Sequence, residues 1–223
     1  MMKSDPYGNF VLKIYHIHPL LLVFILLLTS CAVNQTVDPK DVIQTSDEFE
    51  QGKYRAKVLY DQAVQKLRKT DPEAHRFYHQ AHTAEVNGEL VIAIEGYHKA
   101  IQKAPENDLL LTTLGMAYLR NEDIIPARRY LRKAVSFNPG DYKPRLGLGY
   151  IYLHNQQFKA AVNQLELSLK LLPTLEGTFL LGEAEEAQGN LSRAKQLYQT
   201  VVQVNKNSKL GKSAATRLRS LSE

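Results

Sequence analysis

Small and apolar residues recur at fixed intervals from residue 74 to residue 206, with a period of 34 positions that shortens to 33 in the last step. Within each unit, a small residue is followed 12 positions later by an alanine. The pairs are Ala81/Ala93, Gly115/Ala127, Gly149/Ala161 and Gly182/Ala194. A unit of this length holds two helices, so the period predicts an array of helix pairs. We place these helices at 74–87, 90–103, 108–121, 124–137, 142–155, 158–171, 175–188 and 191–204.

The spacing of the small residues has a packing explanation. A small residue in the first helix lets the second helix cross it closely, and the alanine lies at the same crossing. Pro105, Pro139 and Pro173 stand at the ends of three second helices and stop them, because proline cannot continue the helical hydrogen bonds. A single helix pair cannot bury its own apolar face, so neighbouring pairs are expected to stack.

The second unit carries the clearest motif. Its first helix contains Leu111, Leu114, Gly115 and Tyr118, and its second helix contains Ala127, Leu131 and Ala134, followed by Pro139. This pattern resembles the tetratricopeptide repeat (TPR), and the resemblance implies an all-α TPR superhelix whose first helices line a concave groove. The implied units are TPR 1 (74–107), TPR 2 (108–141), TPR 3 (142–174) and TPR 4 (175–207). The match weakens in the outer two units. The first has Gln80 and Ala84 where larger apolar residues are usual, and the fourth has Glu185 in place of the tyrosine.

Helical spacing of apolar residues continues on both sides of the four units. Ala56, Tyr60 and Ala63 predict a helix that we interpret as an N-terminal capping helix or degenerate half-repeat, within residues 49–73. Residues 208–223 contain a second apolar stripe with basic residues facing outward, which predicts a solubilising C-terminal capping helix.

The amino-terminal segment has a different pattern. An unbroken apolar run from Leu20 to Leu28 is too short for a bilayer core, which needs about 20 residues, but it suits the apolar region of a secretory signal. Thr29, Ser30 and Cys31 follow, and the sequence around Cys31 resembles the lipobox of bacterial lipoproteins. The alternatives are an uncleaved anchor and a buried hydrophobic helix with an incidental cysteine.

The lipobox resemblance implies a processing route and a location. Residues 1–30 would be removed as a signal peptide, and the Cys31 thiol would carry a diacylglycerol, with a further acyl chain on the new amino terminus. Three acyl chains hold a protein on a membrane essentially permanently. Ala32 after the cysteine implies an outer-membrane lipoprotein facing the periplasm, with the periplasmic face of the inner membrane as the alternative. Residues 31–48 are then a lipid-anchored, flexible tether.

Composition and charge narrow the possible functions. One cysteine cannot form an internal disulfide, so packing must hold the fold. The formal net charge is only +5, and acidic and basic residues are interleaved along the predicted helices, so no nucleic-acid footprint appears. No G-x-S-x-G, H-E-x-x-H or P-loop motif is present. We therefore expect neither an enzyme nor a cofactor.

The TPR resemblance also implies a binding surface. TPR proteins hold a peptide or a partner helix in the concave groove, through fixed positions of the first helices. On this sequence those positions are His75, Tyr78, His82, Thr112, Met116, Arg120, Lys143, Tyr150, Leu153, His154, Glu183 and Glu186. They predict an aromatic and imidazole end, an apolar middle and an acidic end. The alternative is an ordinary solvated helix surface.

A more specific TPR function is not supported by the sequence. Chaperone-binding TPR proteins clamp a carboxyl terminus with basic and amide side chains. Tyr78, His82 and Gly147 stand where that clamp would need lysine, asparagine and arginine.

Three histidines in the first repeat raise one alternative chemistry. His75, His79 and His82 lie on one face of one predicted helix, and imidazoles are common ligands of transition metals. Three ligands from a single helix do not close a tetrahedron, and no cysteine or paired carboxylate is offered nearby. We therefore favour groove-facing polar residues over a metal site.

These observations predict a non-catalytic scaffold for protein–protein interaction, anchored by lipid to the bacterial envelope. The chain resembles lipid-anchored TPR proteins such as the pilotins and pilus-assembly lipoproteins, which implies a role in assembling a pilus or secretion machine. A second interpretation is an adaptor that gathers peptidoglycan hydrolases or proteases at the membrane. In both interpretations the partner is a protein.

Overall fold

The computed structural model describes residues 46–222, which lie within one compact unit. The predicted signal peptide, the lipidation site Cys31 and residues 31–45 of the predicted tether lie outside the described residues. The described range holds ten α-helices and no strand. They are α1 (Ser46–Thr70), α2 (Pro72–Val86), α3 (Leu90–Lys103), α4 (Asp108–Arg120), α5 (Ile124–Phe137), α6 (Tyr142–His154), α7 (Phe158–Leu171), α8 (Leu175–Ala187), α9 (Leu191–Asn205) and α10 (Lys209–Ser220).

The helices of the four repeats agree with the prediction to within two residues at each end. The largest difference is the start of α2, which begins at Pro72. The side chain of Asp71 accepts a hydrogen bond of 2.7 Å from the backbone N–H of Ala74, and Pro72 suits the first helical position because it has no N–H to satisfy. Helices α2 and α3 form the first pair of the array.

Close crossing at small residues is confirmed in the repeats. A Cβ on Gly115 would lie 2.7 Å from Cγ of Leu131, and one on Gly149 would lie 2.6 Å from Cγ of Leu165. In the last repeat, a Cβ on Gly182 would meet the ring of Tyr198 at 2.7 Å. The two helices of each pair approach so closely because these side chains are missing. The described residues thus form an all-α TPR superhelix, with α2, α4, α6 and α8 as first helices.

The C-terminal helix caps the array as predicted. Ala214 of α10 is fully buried against Tyr198 and Val201 of α9, while the basic residues of α10 stay exposed. Ser208 caps its start by accepting a hydrogen bond of 2.9 Å from Gly211 N–H. Helix α10 thereby covers apolar surface that the fourth repeat would otherwise expose.

The N-terminal helix differs from the prediction in length and in contacts. Helix α1 begins at Ser46, so the last three residues of the predicted flexible tether are helical; Asp47 and Glu48 suit the positive end of the helix dipole. Its C-terminal half packs on the first repeat through Tyr60 and Val64, as a capping helix should.

Its N-terminal half makes a second contact that the prediction did not include. A Cβ on Gly52 would lie 2.6 Å from the carbonyl oxygen of Pro173, which precedes the fourth repeat, and α1 also contacts α9. Helix α1 therefore extends from the first repeat to the last.

Within residues 46–222, every helix is either too short or too polar to cross a lipid bilayer.

Candidate functional site

A cavity of about 630 Å³ opens between α1 and the first helices of three repeats. We call it the concave cavity, because α2, α4 and α6 form its wall and Tyr60 of α1 closes one side. It is lined by Tyr60, Tyr78, His82, Glu85, Val86, Gly88, Leu90, Thr113, Met116, Arg120 and Lys143. The cavity combines an aromatic wall, a few aliphatic groups and a cluster of charges.

The aromatic wall joins α1 to α2. The hydroxyl groups of Tyr60 and Tyr78 form a hydrogen bond of 2.6 Å, and the ring of Tyr78 stacks on His82 with the centroids 6.0 Å apart. Tyr78 is only 3% exposed. Burial, and then the hydrogen bond with Tyr60, raises the pKa of Tyr78 above its ordinary value. The Tyr78 hydroxyl therefore stays protonated at neutral pH.

A buried carboxylate organises the charged side. Glu85 accepts a hydrogen bond of 2.5 Å from the hydroxyl of Tyr97 and forms an ion pair with Arg120. His82 Nδ1 lies 3.6 Å from the same carboxylate. Burial, and then the charges of His79, Lys143 and Arg120, lowers the pKa of His82, so its imidazole is neutral at pH 7. Glu85 and Arg120 thus neutralise one another.

Lys143 supplies a charge that has no salt bridge within the described residues, although Asp141 and Glu176 act on it from farther away. It lies half-buried in the first turn of α6, where its backbone N–H donates to Oδ1 of Asp141 at 3.0 Å. Burial, and then repulsion from Arg120, lowers the pKa of the Lys143 ammonium. Among the described residues no carboxylate oxygen comes within 4.0 Å of its Nζ. An incoming carboxylate would relieve this unfavourable burial.

The structure brings five of the twelve predicted groove residues together at the concave cavity. They are Tyr78, His82, Met116, Arg120 and Lys143.

The other predicted residues of the middle repeats lie outside the cavity. Thr112 is 3% exposed and its hydroxyl faces Asp141 at 3.4 Å, so the adjacent Thr113 lines the cavity instead. Tyr150 and His154 lie farther along, on the open part of the array, with ring centroids 4.2 Å apart. Leu153 packs against the core of α7 and α8.

The carboxylates of the predicted acidic end already have partners within the protein. The guanidinium group of Arg217, from α10, lies 3.3 Å from Glu183 and 3.5 Å from Glu186. Glu186 also accepts a hydrogen bond of 2.7 Å from the hydroxyl of Tyr198. The C-terminal cap therefore neutralises the acidic residues that were predicted to face a ligand.

The histidine face of α2 does not assemble a metal site. The rings of His75 and His79 are 6.4 Å apart, and His82 is engaged in the stack with Tyr78. In residues 46–222, no group of three or more histidine, cysteine, aspartate or glutamate side chains is arranged to hold a metal ion. The metal-binding alternative has no support from this geometry.

Sequence reasoning missed Tyr60, Glu85 and Thr113. Tyr60 belongs to an apolar stripe that runs along all of α1, and this stripe was visible in the sequence as helical spacing. The stripe indicated that one face of α1 is buried, but not which surface of the protein covers that face. Glu85 carried no signal, because an isolated glutamate in a helix is ordinarily solvated.

Comparison with known proteins supports the repeat architecture. Residues 110–141 match the family model described as Tetratricopeptide repeat. BBSome complex member BBS4 of Bos taurus is 35% identical over 79 residues, which span 35% of this chain and 15% of that protein. Its counterpart in Xenopus tropicalis is 33% identical over 124 residues, which span 52% of this chain and 24% of that protein. The chain therefore matches only a small part of these curated relatives.

Solved structures resemble most of the described array. MamA 41-end from Desulfovibrio magneticus RS-1 aligns with a TM-score of 0.57 and 17% identity, over 67% of this chain and 93% of that one. A tetratricopeptide repeat protein from Parabacteroides merdae aligns with a TM-score of 0.56 and 21% identity, over 68% of this chain and 60% of that one. At these identities the likeness concerns the fold alone. The described residues thus have the fold of TPR proteins, which serve as scaffolds for protein–protein interaction.

Proposed function

We propose that this chain is a non-catalytic scaffold that binds a protein partner on its concave face while a lipid on Cys31 holds it on the bacterial envelope. The observation that carries the binding proposal is the concave cavity, where an aromatic wall and the ammonium group of Lys143, which forms no salt bridge within residues 46–222, line the same space. Its volume of about 630 Å³ lies within the range of ordinary ligand sites. Several side chains of a peptide fit such a space.

The lining determines what kind of peptide segment binds. Tyr60, Met116 and Val86 offer apolar surface to an aliphatic or aromatic side chain. Lys143 offers a charge-assisted hydrogen bond to a carboxylate. Arg120 is already paired with Glu85, so it orients the site more than it attracts a ligand. The preferred segment therefore carries an apolar residue close to an acidic one.

The anchoring part of the proposal rests on the lipobox-like sequence around Cys31. Acylation there, followed by residues 32–45, would hold the array near the periplasmic surface of the outer membrane. A scaffold in this position is suited to assembling a pilus or secretion machine. The assembly role rests on resemblance to lipid-anchored TPR proteins, and a resemblance at the level of the fold does not identify the partner.

The binding proposal is tested with the double variant Met116→Glu/Lys143→Glu. Tagged full-length chain is purified from native envelopes in detergent, and co-purified proteins are quantified by mass spectrometry. Because central contacts carry most of an interface's energy, at least one partner should fall about tenfold or more. The matched control is Lys99→Glu, which makes the charge change of Lys143→Glu on an exposed residue of α3.

Both variants must show the circular dichroism and thermal midpoint of the wild type. A partner that is lost from the cavity variant and retained by Lys99→Glu supports the assignment, and pilus or secretion components among such partners support the role. If the cavity variant retains every partner, the concave cavity is not the binding site.

A further inference from the structure

The two halves of α1 differ in how many of their side chains are buried. In the C-terminal half, Tyr60, Val64 and Leu67 belong to the hydrophobic core of the first repeat, and Leu67 is fully buried. In residues 47–57, only Phe49 and Gly52 are buried, and nearly all other side chains are exposed. We call residues 46–57 the strap.

The strap contacts the far end of the array. Gly52 lies so close to the carbonyl oxygen of Pro173 that a Cβ would come within 2.6 Å of it. Pro173 and Thr174 lead directly into α8, the first helix of the fourth repeat, and α1 also contacts α9. The strap therefore covers surface at the start of α8 and on α9, and the same helix α1 continues to Tyr60, which lines the concave cavity.

Few side chains of the strap are buried. The ion pairs of Lys53 with Glu50 and of Lys57 with Asp61 lie within α1 and stabilise the helix itself. Phe49 is the one large apolar side chain of the strap that is fully buried, at 1% exposure. Segments with so few buried contacts open at much lower free energy than the core does.

We propose that the strap is a displaceable occupant of the concave face, and that an amphipathic helix of the partner protein takes its place. The strap itself indicates what fits: an aromatic residue, a small residue three positions later and another small residue four positions after that, as in Phe49, Gly52 and Ala56. Helices are commonly bound in grooves through such a stripe. This inference rests on the proposed function, because it assumes that a protein partner binds the concave face.

The docking of the strap is tested with Gly52→Ala in the full chain. In an undocked helix, alanine is a better helix former than glycine, so backbone exchange in residues 47–57 would slow down. In the docked strap, the new methyl group meets the Pro173 carbonyl and displaces the helix. We therefore expect hydrogen exchange of these amides to rise about tenfold or more, as measured by mass spectrometry.

The matched control is Gln51→Ala, on the exposed face of the same turn. It should leave the exchange of these amides unchanged or slow it slightly. Slower or unchanged exchange in Gly52→Ala would show that the strap is not docked as described, and the inference would fail.

Access to the vacated surface is tested with a fluorescent peptide of residues 46–57. A tethered competitor acts at high effective concentration, so wild-type chain and Gln51→Ala should bind the peptide weakly. Gly52→Ala, whose own strap no longer competes, should bind it about tenfold more tightly. A peptide with Phe49 replaced by alanine should lose this binding.

Equal affinity for wild type and Gly52→Ala, or binding to neither, would overturn the proposal that a helix replaces the strap. That failure is separable from failure of the proposed function, whose test changes Met116 and Lys143 rather than the strap. If the Met116→Glu/Lys143→Glu variant loses partners while Gly52→Ala does not bind the peptide, the concave cavity is still the binding site. The strap then does not control access to it.

Discussion

At the scale of single residues, missing side chains set the distances between helices. Gly149 in α6 leaves just enough room for Leu165 in α7, because a Cβ would lie 2.6 Å from both Cγ and Cδ2. Cγ is not the free end of the leucine, so the side chain cannot simply swing away. The same relation between a glycine and a large residue of the following helix recurs in the neighbouring repeats.

Gly149→Val should therefore destabilise the array. Overpacking of a well-filled core costs about 1–3 kcal/mol, and we expect a loss of that size in the free energy of unfolding. Urea denaturation followed by circular dichroism measures it. The control is Gly140→Ala in an exposed turn, where the new Cβ would have only Asn138 Oδ1 within 4 Å, at 3.4 Å. Equal stability of the two variants would refute the close-crossing explanation.

The sequence predicted these small residues well, because their period is a local property of the chain. It predicted individual groove residues less well. Thr112 occupies the position equivalent to Tyr78, but its side chain is shorter and is covered by Asp141 at the start of α6. Side-chain length and the neighbouring repeat, rather than position in the repeat, decide which residue reaches the concave cavity.

At the scale of helices, the fourth repeat replaces an aromatic contact with a buried ion pair. Tyr118 and Tyr152 have no counterpart in α8, where Glu185 occupies the equivalent position and is 1% exposed. Its carboxylate lies 2.5 Å from the guanidinium group of Arg193 in α9, which also contacts Glu166 in α7 at 2.7 Å. Three consecutive helices are thereby joined through one arginine.

Glu185→Ala should be strongly destabilising, because it removes a carboxylate partner from a largely buried guanidinium group. Breaking such a pair costs about 3–5 kcal/mol, and the remaining Glu166 contact should keep the loss at the lower end of that range. Glu183→Ala on the same helix is the control. Its partner Arg217 is 47% exposed, so the loss should stay at about 1 kcal/mol or less.

Urea denaturation measures both changes in the free energy of unfolding. Similar losses for the two variants would mean that burial does not distinguish the pairs. The sequence identified Glu185 only as a departure from the TPR pattern, because the approach of Arg193 and Glu166 depends on how three helices pack.

At the scale of the whole molecule, the helix pairs were predictable and the path of α1 was not. Helix boundaries follow from local periodicity and capping residues, which the sequence displays directly. The apolar stripe of α1 showed that one face is buried, but the surface at Pro173 is assembled only by the complete fold. The lining of the concave cavity also depends on the position of α1, since Tyr60 reaches the cavity from this helix.

Cys31→Ser tests the proposed anchor without disturbing the repeats. Cells grown with an alkyne analogue of palmitate should label the wild-type chain and leave Cys31→Ser unlabelled. Ser30→Ala, which keeps a small residue before the cysteine, is the matched control and should remain labelled. Because packing within residues 46–222 holds the array, the thermal midpoint of Cys31→Ser should equal that of the wild type. Retained label in Cys31→Ser would exclude acylation at this residue.

The contact between Gly52 and Pro173 also constrains the order of folding. Repeat arrays are usually assembled through neighbours, so each repeat can fold as soon as the next one is available. The first part of α1, by contrast, finds its contact only after more than half of the chain has followed it. Contacts between such distant segments form slowly. The contact of Gly52 therefore forms only when the start of the fourth repeat exists, which makes docking of α1 a late step and a sign that the array is complete.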